Sequence, residues 1–310
     1  MKMKEFKLSF AVKWRKNTGD KMDFPSAKLL TSMQNPLVKQ VAKWRDRHDR
    51  DADQKVLIEG YRALTRAMAG HYPVEQLFIC PEWFQGENEG ALIDAVCKQG
   101  AKLYQVGKEA FVKMTYRDRP EGLLGVGPQI HHTLDDLPKL DRPAFYLVAE
   151  QIEKPGNLGT MLRSADAAGV DGLILCDPVT DLYNPNVVRA STGVLFTLPI
   201  AEASSEDTLK WLRKNGVKIL SATPHTENLF TDVAMTTPLA VVVGAEQFGL
   251  SDLWMNEADL QVRLPMMGAA DSLNVATATT ILLYEALRQR LAAGIVKDTG
   301  MVVDPNHGRQ

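Results

Sequence analysis

Short apolar runs alternate with amphipathic stretches along the first half of the chain, beginning at Leu30. Apolar runs flanked by turn residues predict strands, whereas apolar positions spaced three and four apart predict helices. The pattern predicts a helix from Pro36 to about Arg50, then strands over 56–59, 76–79, 102–106 and 122–127, with helices over 62–69, 92–98 and from 108 onward. This alternation is typical of a compact α/β unit of about one hundred residues.

The second half contains more continuous apolar strands. Runs rich in β-branched residues predict strands over 144–149, 172–176, 217–221, 239–244 and 260–264. Strands of this kind, separated by helices, predict a parallel sheet that is covered on both faces. A closing helix is expected from Ser272 to Ala293, with Gly294 as its C-cap and with Arg288 and Arg290 near the negative end of the helix dipole.

Turn residues and changes of pattern divide the chain into five segments. Pro128, Pro138 and Pro143 mark the connection between the two α/β units. The predicted segments are an N-terminal extension over 1–28, a smaller α/β domain over 29–127, a linker over 128–142, a parallel-sheet domain over 143–296 and a C-terminal tail over 297–310.

Composition places the chain among ordinary globular proteins, because 45% of its 310 residues are hydrophobic and 24% are charged. Its three cysteines are too few and too scattered for a disulfide scaffold or a zinc cluster, which favours a reducing compartment and predicts no metal. No apolar stretch approaches the roughly 20 residues of a membrane-spanning helix, and no signal peptide is evident. We expect a cytoplasmic protein.

Positive charge is concentrated at one end of the chain. Residues 1–50 contain 13 Lys and Arg against 5 Asp and Glu, whereas the remainder contains 23 against 33. The segment from Lys39 to Arg50 carries cations at helical spacing around Trp44, as a surface that contacts a phosphate backbone would. The alternative is a solvated helix face, which is the commoner meaning of a charge run.

Several well-known catalytic motifs are absent from the sequence. The first strand of the second domain is not followed by Gly-x-Gly-x-x-Gly, which disfavours the common dinucleotide site. There is also no Walker loop, no Gly-x-Ser-x-Gly elbow and no His-Glu-x-x-His motif. Three unusual segments of the second domain remain as candidates for chemistry.

The first candidate segment, residues 157–169, predicts a helix entered through Pro155 and Gly156. Arg163 points away from the predicted apolar stripe and is free to contact a ligand, although it could instead pair with Asp166 one turn later. The stripe comprises Leu158, Met161, Leu162, Ala165 and Gly169.

The second segment, from Gly244 to Gly249, follows a buried strand, and its glycines could let the backbone approach a ligand. It could equally be a tight turn with Glu246 near a helix start.

The third segment, residues 264–276, is an apolar loop leading into the last helix. Asp271 or Ser272 could cap that helix, whereas Asn274 would need hydrogen-bond partners if buried.

These three segments, in this order, resemble the signature motifs of the SpoU, or TrmH-like, RNA 2′-O-ribose methyltransferases of the SPOUT superfamily. The first domain resembles the substrate-recognition domain of that family, an α/β fold related to a ribosomal RNA-binding protein, through residues 30–39 and 58–62. The resemblance covers roughly residues 29–291. The second segment departs from the common pattern, since Ala245 and Gln247 stand where the family more often has Asn and Gly.

The resemblance implies a C-terminal trefoil-knot domain that binds S-adenosylmethionine, with Thr223, Gly244, Leu264 and Leu273 at the cofactor. It implies a homodimer acting on structured tRNA or rRNA, without DNA or membrane partners. The implied active-site residues are Asn157, Arg163, Glu246, Ser272 and Asn274.

The role of Arg163 is open, because a guanidinium is a poor general base. We favour Arg163 as a phosphate ligand that stabilises developing alkoxide charge, with Ser272 and Asn274 orienting the hydroxyl. Two alternatives to RNA methylation are an RNA-binding or ribosome-assembly protein without turnover and a methyltransferase for a small molecule. The joint presence of the five residues argues against the first, and the basic first domain argues against the second.

Overall fold

The computed structural model describes residues 15–16, 22–24, 27–117 and 119–298. Most of the predicted extension over 1–28 and of the predicted tail over 297–310 lies outside the described residues. The chain divides into two compact units, one within residues 1–128 and the other within residues 129–309.

The strands of the first unit are β1 (Arg15–Lys16), β2 (Met22–Asp23), β3 (Lys28–Leu30), β4 (Lys55–Glu59), β5 (Gln76–Ile79), β6 (Lys102–Val106) and β7 (Leu123–Pro128). Five of them form a mixed sheet in the order β3-β6-β5-β7-β4, in which β7 is antiparallel to both neighbours, and β1 and β2 form a separate pair. The helices of this unit are α1 (Pro36–Lys43), α2 (Arg47–Asp53), α3 (Tyr61–Ala69), α4 (Glu89–Lys98) and α5 (Lys108–Met114).

The basic segment of the first unit is two short helices, not the single helix predicted over 36–50. Asp46 breaks the helix, because its side chain accepts a hydrogen bond from the His48 amide and caps α2. Trp44 is buried in the core, where its indole donates to Asp53 at 2.7 Å. Arg50 is also buried and donates to the Trp44 and Arg45 carbonyls. The cations left exposed are Lys39, Lys43, Arg45 and Arg47.

The strands of the second unit are β8 (Phe145–Glu150), β9 (Gly172–Cys176), β10 (Ile200–Ala203), β11 (Lys218–Ala222), β12 (Leu239–Val243) and β13 (Leu260–Val262). All six are parallel, in the order β10-β9-β8-β12-β11-β13, which confirms the predicted parallel sheet. Strand β10 was not predicted. The helices are α6 (Pro155–Ala167), α7 (Pro185–Ala190), α8 (Ser205–Lys214), α9 (Asp252–Asn256) and α10 (Val275–Ala292).

Helix α6 is held between α7 and α10. Of its predicted apolar stripe, the first four residues are buried, whereas Gly169 lies beyond the helix with φ of +69°. Gly159 allows close approach to α7, since a Cβ there would lie 2.4 Å from the Ala190 Cβ. On the α10 side, the Ser164 and Thr280 hydroxyls are hydrogen-bonded at 2.7 Å.

The segment predicted as a linker, residues 128–142, largely packs against the second unit instead. The Tyr183 hydroxyl accepts from the Ile130 amide and donates to its carbonyl. The His132 carbonyl accepts from the Glu202 amide, and Leu137 is buried. Most of this segment therefore forms an ordered edge of the second unit.

Arg290, in the last turn of α10, is buried, with only 1% of its surface exposed. Its guanidinium lies over the Phe145 ring, 4.7 Å from the centroid. Burial lowers the pKa of Arg290 to about 10, so it is charged at neutral pH. It donates hydrogen bonds to four backbone carbonyls, those of Pro143, Ala144, Met235 and Thr237. Arg290 thus ties the last helix to the starts of β8 and β12.

We expect Arg290→Met to lower the free energy of unfolding by about 3 kcal/mol or more, because it leaves several buried carbonyls without donors. The matched control is Arg288→Met on the same helix, where the side chain is 64% exposed and pairs with Glu285. We expect that variant to lose less than about 1 kcal/mol. Urea unfolding followed by circular dichroism measures both, and equal losses would contradict the role of Arg290.

Candidate active site

Three predicted site residues from three separate segments meet in one hydrogen-bonded chain. The Asn157 Nδ2 donates to the Glu246 carboxylate, 89 positions away. The Asn274 Nδ2 donates to the Asn157 Oδ1 at 3.2 Å, across 117 positions. A polar cluster built from such distant parts of the chain is the usual construction of an active site.

Each side chain of the cluster is positioned by the end of a secondary-structure element. Asn157 lies in the first turn of α6, which begins at Pro155 after β8. Asn274 is the N-cap of α10, and its Oδ1 accepts from the Ala276 amide at 3.0 Å. The helix therefore begins later than predicted, and neither Asp271 nor Ser272 is its cap.

Glu246 lies in a tight hairpin that follows β12, and not at a helix start. Ala245 and Gly249 form a bridge in which the Gly249 amide donates to the Ala245 carbonyl at 2.9 Å. A Cβ on Gly244 would lie 2.2 Å from the Gly249 oxygen, so only glycine fits there. Gly244 thus makes room for the returning backbone of the hairpin, and its predicted contact with a ligand stays a prediction.

One oxygen of Glu246 has no hydrogen-bond donor. Its Oε2 is buried, and the nearest charge is the Lys154 ammonium at 3.7 Å. Lys154 is 68% exposed, so this side chain can move away without disturbing the fold. A buried acceptor without a donor costs free energy and often marks a site of chemistry. Sequence reasoning missed Lys154, although it lies three residues before Asn157.

The far side of the hairpin is anchored by Glu150, a second residue that sequence reasoning missed. This buried carboxylate at the end of β8 accepts from the Ser251 amide at 2.8 Å. The Ser205 hydroxyl lies 3.3 Å from it and has its shorter hydrogen bond, at 2.6 Å, to Asp177. The Trp254 indole also donates to the Ser205 hydroxyl, at 3.1 Å. The hairpin is thus held by Asn157 on one side and by Glu150 on the other. A carboxylate ending an otherwise apolar strand is the signal that could have identified Glu150.

Two predicted site residues do not join the cluster. Within the described part of the chain, the Arg163 side chain is exposed and makes no hydrogen bond or ion pair, so the alternative pairing with Asp166 is not formed. Ser272 is exposed in the loop before α10, and its hydroxyl donates to Asp271 at 3.3 Å. Both side chains are available to a ligand that approaches from solvent.

A cavity of about 580 Å³ opens at the carboxyl end of β11 and β13, and Leu264 is one of the residues that line it. Thr223 is buried next to the cavity, where its hydroxyl accepts from the His225 amide. Gly244 and Leu273 are not part of this lining. The residues that line it are Pro224, His225, Thr226, Glu227, Arg263, Leu264 and Met266.

No group of three or more His, Cys, Asp or Glu side chains among the described residues is arranged to hold a metal ion. None of the helices described is long and apolar enough to cross a membrane.

Comparison with known protein families gives two matches that together follow the two units. The model of the SpoU rRNA Methylase family matches residues 144–284, and the model of the MRM3-like substrate binding domain matches residues 35–125. The first match contains Asn157, Glu246 and Asn274, the three residues of the cluster.

Individual relatives resemble nearly the whole chain. A 23S rRNA (uridine(2479)-2'-O)-methyltransferase of Streptomyces viridochromogenes is 30% identical, over 86% of this chain and 94% of its own length. The 23S rRNA (guanosine(2553)-2'-O)-methyltransferase RlmP of Bacillus subtilis is 28% identical, over 83% and 98%. The AdoMet-bound rRNA methyltransferase of Sinorhizobium meliloti superposes with a TM-score of 0.77 at 31% identity, covering 85% of this chain and 98% of that structure. The chain therefore belongs to the SpoU family of RNA methyltransferases.

Proposed function

We propose that this protein transfers a methyl group from S-adenosylmethionine to a ribose 2′-hydroxyl of ribosomal RNA. The observation that carries the proposal is the hydrogen-bonded chain of Asn274, Asn157 and Glu246, with one free acceptor oxygen on Glu246. Methylation of RNA ribose is the activity of the family. Ribosomal RNA is favoured over transfer RNA because the relatives described above are named for rRNA.

The lining of the 580 Å³ cavity fits S-adenosylmethionine. Leu264 and Met266 offer apolar surface, while Glu227 and Arg263 offer opposite charges for the charged amino acid end of that molecule. We assign the cofactor to this cavity, with Thr223 supporting its wall. When bound, S-adenosylmethionine supplies an electrophilic methyl group on a positively charged sulfur.

The residues of the chain must position the 2′-hydroxyl and accept its proton. We assign the acceptor role to the Glu246 Oε2, which is the one oxygen of the cluster that lacks a donor. Asn157 fixes the other oxygen of that carboxylate. Asn274 and the exposed Ser272 hydroxyl orient the ribose.

Arg163 binds an RNA phosphate in this proposal. Its guanidinium is exposed and makes no ion pair within the described residues, so it can donate two parallel hydrogen bonds to an anion. A second contribution to RNA binding comes from the first unit, through the exposed Lys39, Lys43, Arg45 and Arg47. Trp44 and Arg50 are excluded from that surface by their burial.

The trefoil knot is part of the proposal. Strand β12 inserts between β8 and β11, and the chain then passes to β13 at the sheet edge before α10 returns to pack on α6. On this return path Arg263 exchanges backbone hydrogen bonds with Asn228 and Phe230 of the β11–β12 connection. That crossing is where threading of the chain would occur.

A homodimer in the cytoplasm completes the proposal. Helix α10 keeps Tyr284 and Leu291 exposed while its opposite face is buried, which supports pairing through this helix.

The cysteines Cys80, Cys97 and Cys176 are unpaired, and burial raises the pKa of the Cys176 thiol to about 12. Inert free thiols suit a reducing compartment.

The central test uses methyl-labelled S-adenosylmethionine with separate pools of unmodified ribosomal and transfer RNA. We expect label in ribosomal RNA and protection of one linkage from alkaline hydrolysis, because a methylated 2′-oxygen cannot attack the neighbouring phosphate. Label in transfer RNA alone would overturn the substrate assignment. Cofactor binding without any incorporation would favour a protein that binds RNA without turnover.

We expect Arg163→Lys to raise the KM for RNA about tenfold or more, because an ammonium cannot reproduce two parallel hydrogen bonds to phosphate. The matched control is Arg189→Lys, at an exposed arginine of α7. Steady-state kinetics with varied RNA and saturating cofactor separate KM from kcat. Nearly full activity of Arg163→Lys would contradict the bidentate phosphate contact.

We expect Glu246→Gln to lower kcat at least about 100-fold, because the amide keeps the bond to Asn157 but loses the free acceptor oxygen. Cofactor affinity, measured by calorimetry, should stay unchanged. Glu257→Gln, at an exposed carboxylate of the same unit, is the control for loss of charge alone. A Glu246→Gln enzyme with wild-type kcat would remove Glu246 from the reaction.

A further inference from the structure

Phe248 is one of the most exposed large apolar side chains of the described residues, with 78% of its surface in contact with solvent. It lies at the tip of the hairpin that carries Glu246. Met267, in the loop before α10 that forms the third candidate segment, is 96% exposed. Exposed apolar side chains beside a functional site commonly mark a surface that a ligand covers.

The hairpin is too well anchored for Phe248 to be exposed through local disorder of an unsupported loop. The Ala245–Gly249 bridge closes the hairpin, and Gly244 fits under its returning strand. The bond between Asn157 and Glu246 fixes one side, and the bond from the Ser251 amide to Glu150 fixes the other. The fold therefore holds the aromatic ring outward.

We propose that Phe248 is a stacking platform for a nucleobase of the RNA substrate, at or next to the nucleotide that is methylated. This inference rests on the proposed function, because it places the ribose at Glu246. Two residues span at most about 7 Å of chain, so the ring starts close to that ribose. A base attached there needs an apolar surface once it leaves its own stack.

Two exposed cations, one of them next to the hairpin, favour RNA as the occupant. Lys154 approaches Glu246 and is largely exposed, and Arg163 is an exposed cation on the same helix as Asn157. Aromatic side chains flanked by cations are the common arrangement for single-stranded nucleic acid. A phenyl ring has no hydrogen-bonding group, so the contact adds affinity without selecting one base.

The sharpest test compares Phe248→Leu with Phe248→Trp. Leucine keeps an apolar side chain but removes the ring, whereas tryptophan keeps a stacking surface. With unmodified 23S rRNA transcript and labelled S-adenosylmethionine, we expect kcat/KM for RNA to fall about tenfold in the leucine variant, the loss typical of one base–aromatic stack. The tryptophan variant should stay near wild type. Gln247→Ala, at the exposed neighbour in the same hairpin, should change kcat/KM less than about twofold.

A second readout does not depend on turnover. We expect the 23S transcript to quench the fluorescence of the tryptophan introduced by Phe248→Trp, relative to the fluorescence change of the wild-type protein under the same conditions. If wild type methylates RNA but the leucine variant is as active, the stacking inference is overturned while the proposed function stands. If wild type methylates no RNA, the proposed function fails and the fluorescence measurement decides the stacking role. Quenching by RNA would support stacking on residue 248, and no quenching would contradict it.

Sedimentation velocity of the leucine variant separates RNA contact from an interface between copies of the chain. We expect an unchanged sedimentation coefficient and unchanged cofactor affinity. A changed oligomeric state would assign Phe248 to a protein interface and overturn its role in stacking.

Discussion

The site depends on the two hydrogen bonds that the side-chain amide of Asn157 makes. This amide must donate to a carboxylate, which can only accept, and at the same time accept from Asn274. Asparagine meets both demands at this position, whereas an aspartate would repel Glu246 and an apolar residue would leave both partners unpaired. The N-terminus of α6, the hairpin after β12 and the start of α10 are therefore joined through one side chain.

This junction is rigid because each of its members is held by a second contact. Gly159 lets α6 pack closely on α7, Asn274 caps its own helix, and Glu150 anchors the residue after the hairpin. Arg290 fixes the other end of α10 to the starts of two central strands. A site whose polar groups are oriented before the substrate arrives loses little free energy to reorganisation during the reaction.

Local pattern predicted the strands well because most are short, buried and nearly continuous apolar runs. It missed β3, a three-residue strand in which only Leu30 is buried. It also missed β10, since Ile200–Ala203 contains a glutamate and two alanines and is only half buried. It also could not show that Trp44 and Arg50 turn inward, because the break at Asp46 depends on a capping bond and on packing. The meeting of Asn157, Glu246 and Asn274 is a long-range contact, so no spacing within one segment could predict it, and the family resemblance supplied that expectation.

The destination of the ribose proton links the site to the proposed reaction. The side chains of Asn157 and Asn274 are neutral amides already engaged in hydrogen bonds, and the guanidinium of Arg163 offers only hydrogen-bond donors. Under the proposed function this leaves the Glu246 carboxylate, whose buried Oε2 has no donor. A carboxylate is a weak base, so it takes the proton only as the new oxygen–carbon bond forms and makes the 2′-hydroxyl more acidic. The Lys154 ammonium, 3.7 Å from the same oxygen, offsets part of the free-energy cost of this buried acceptor.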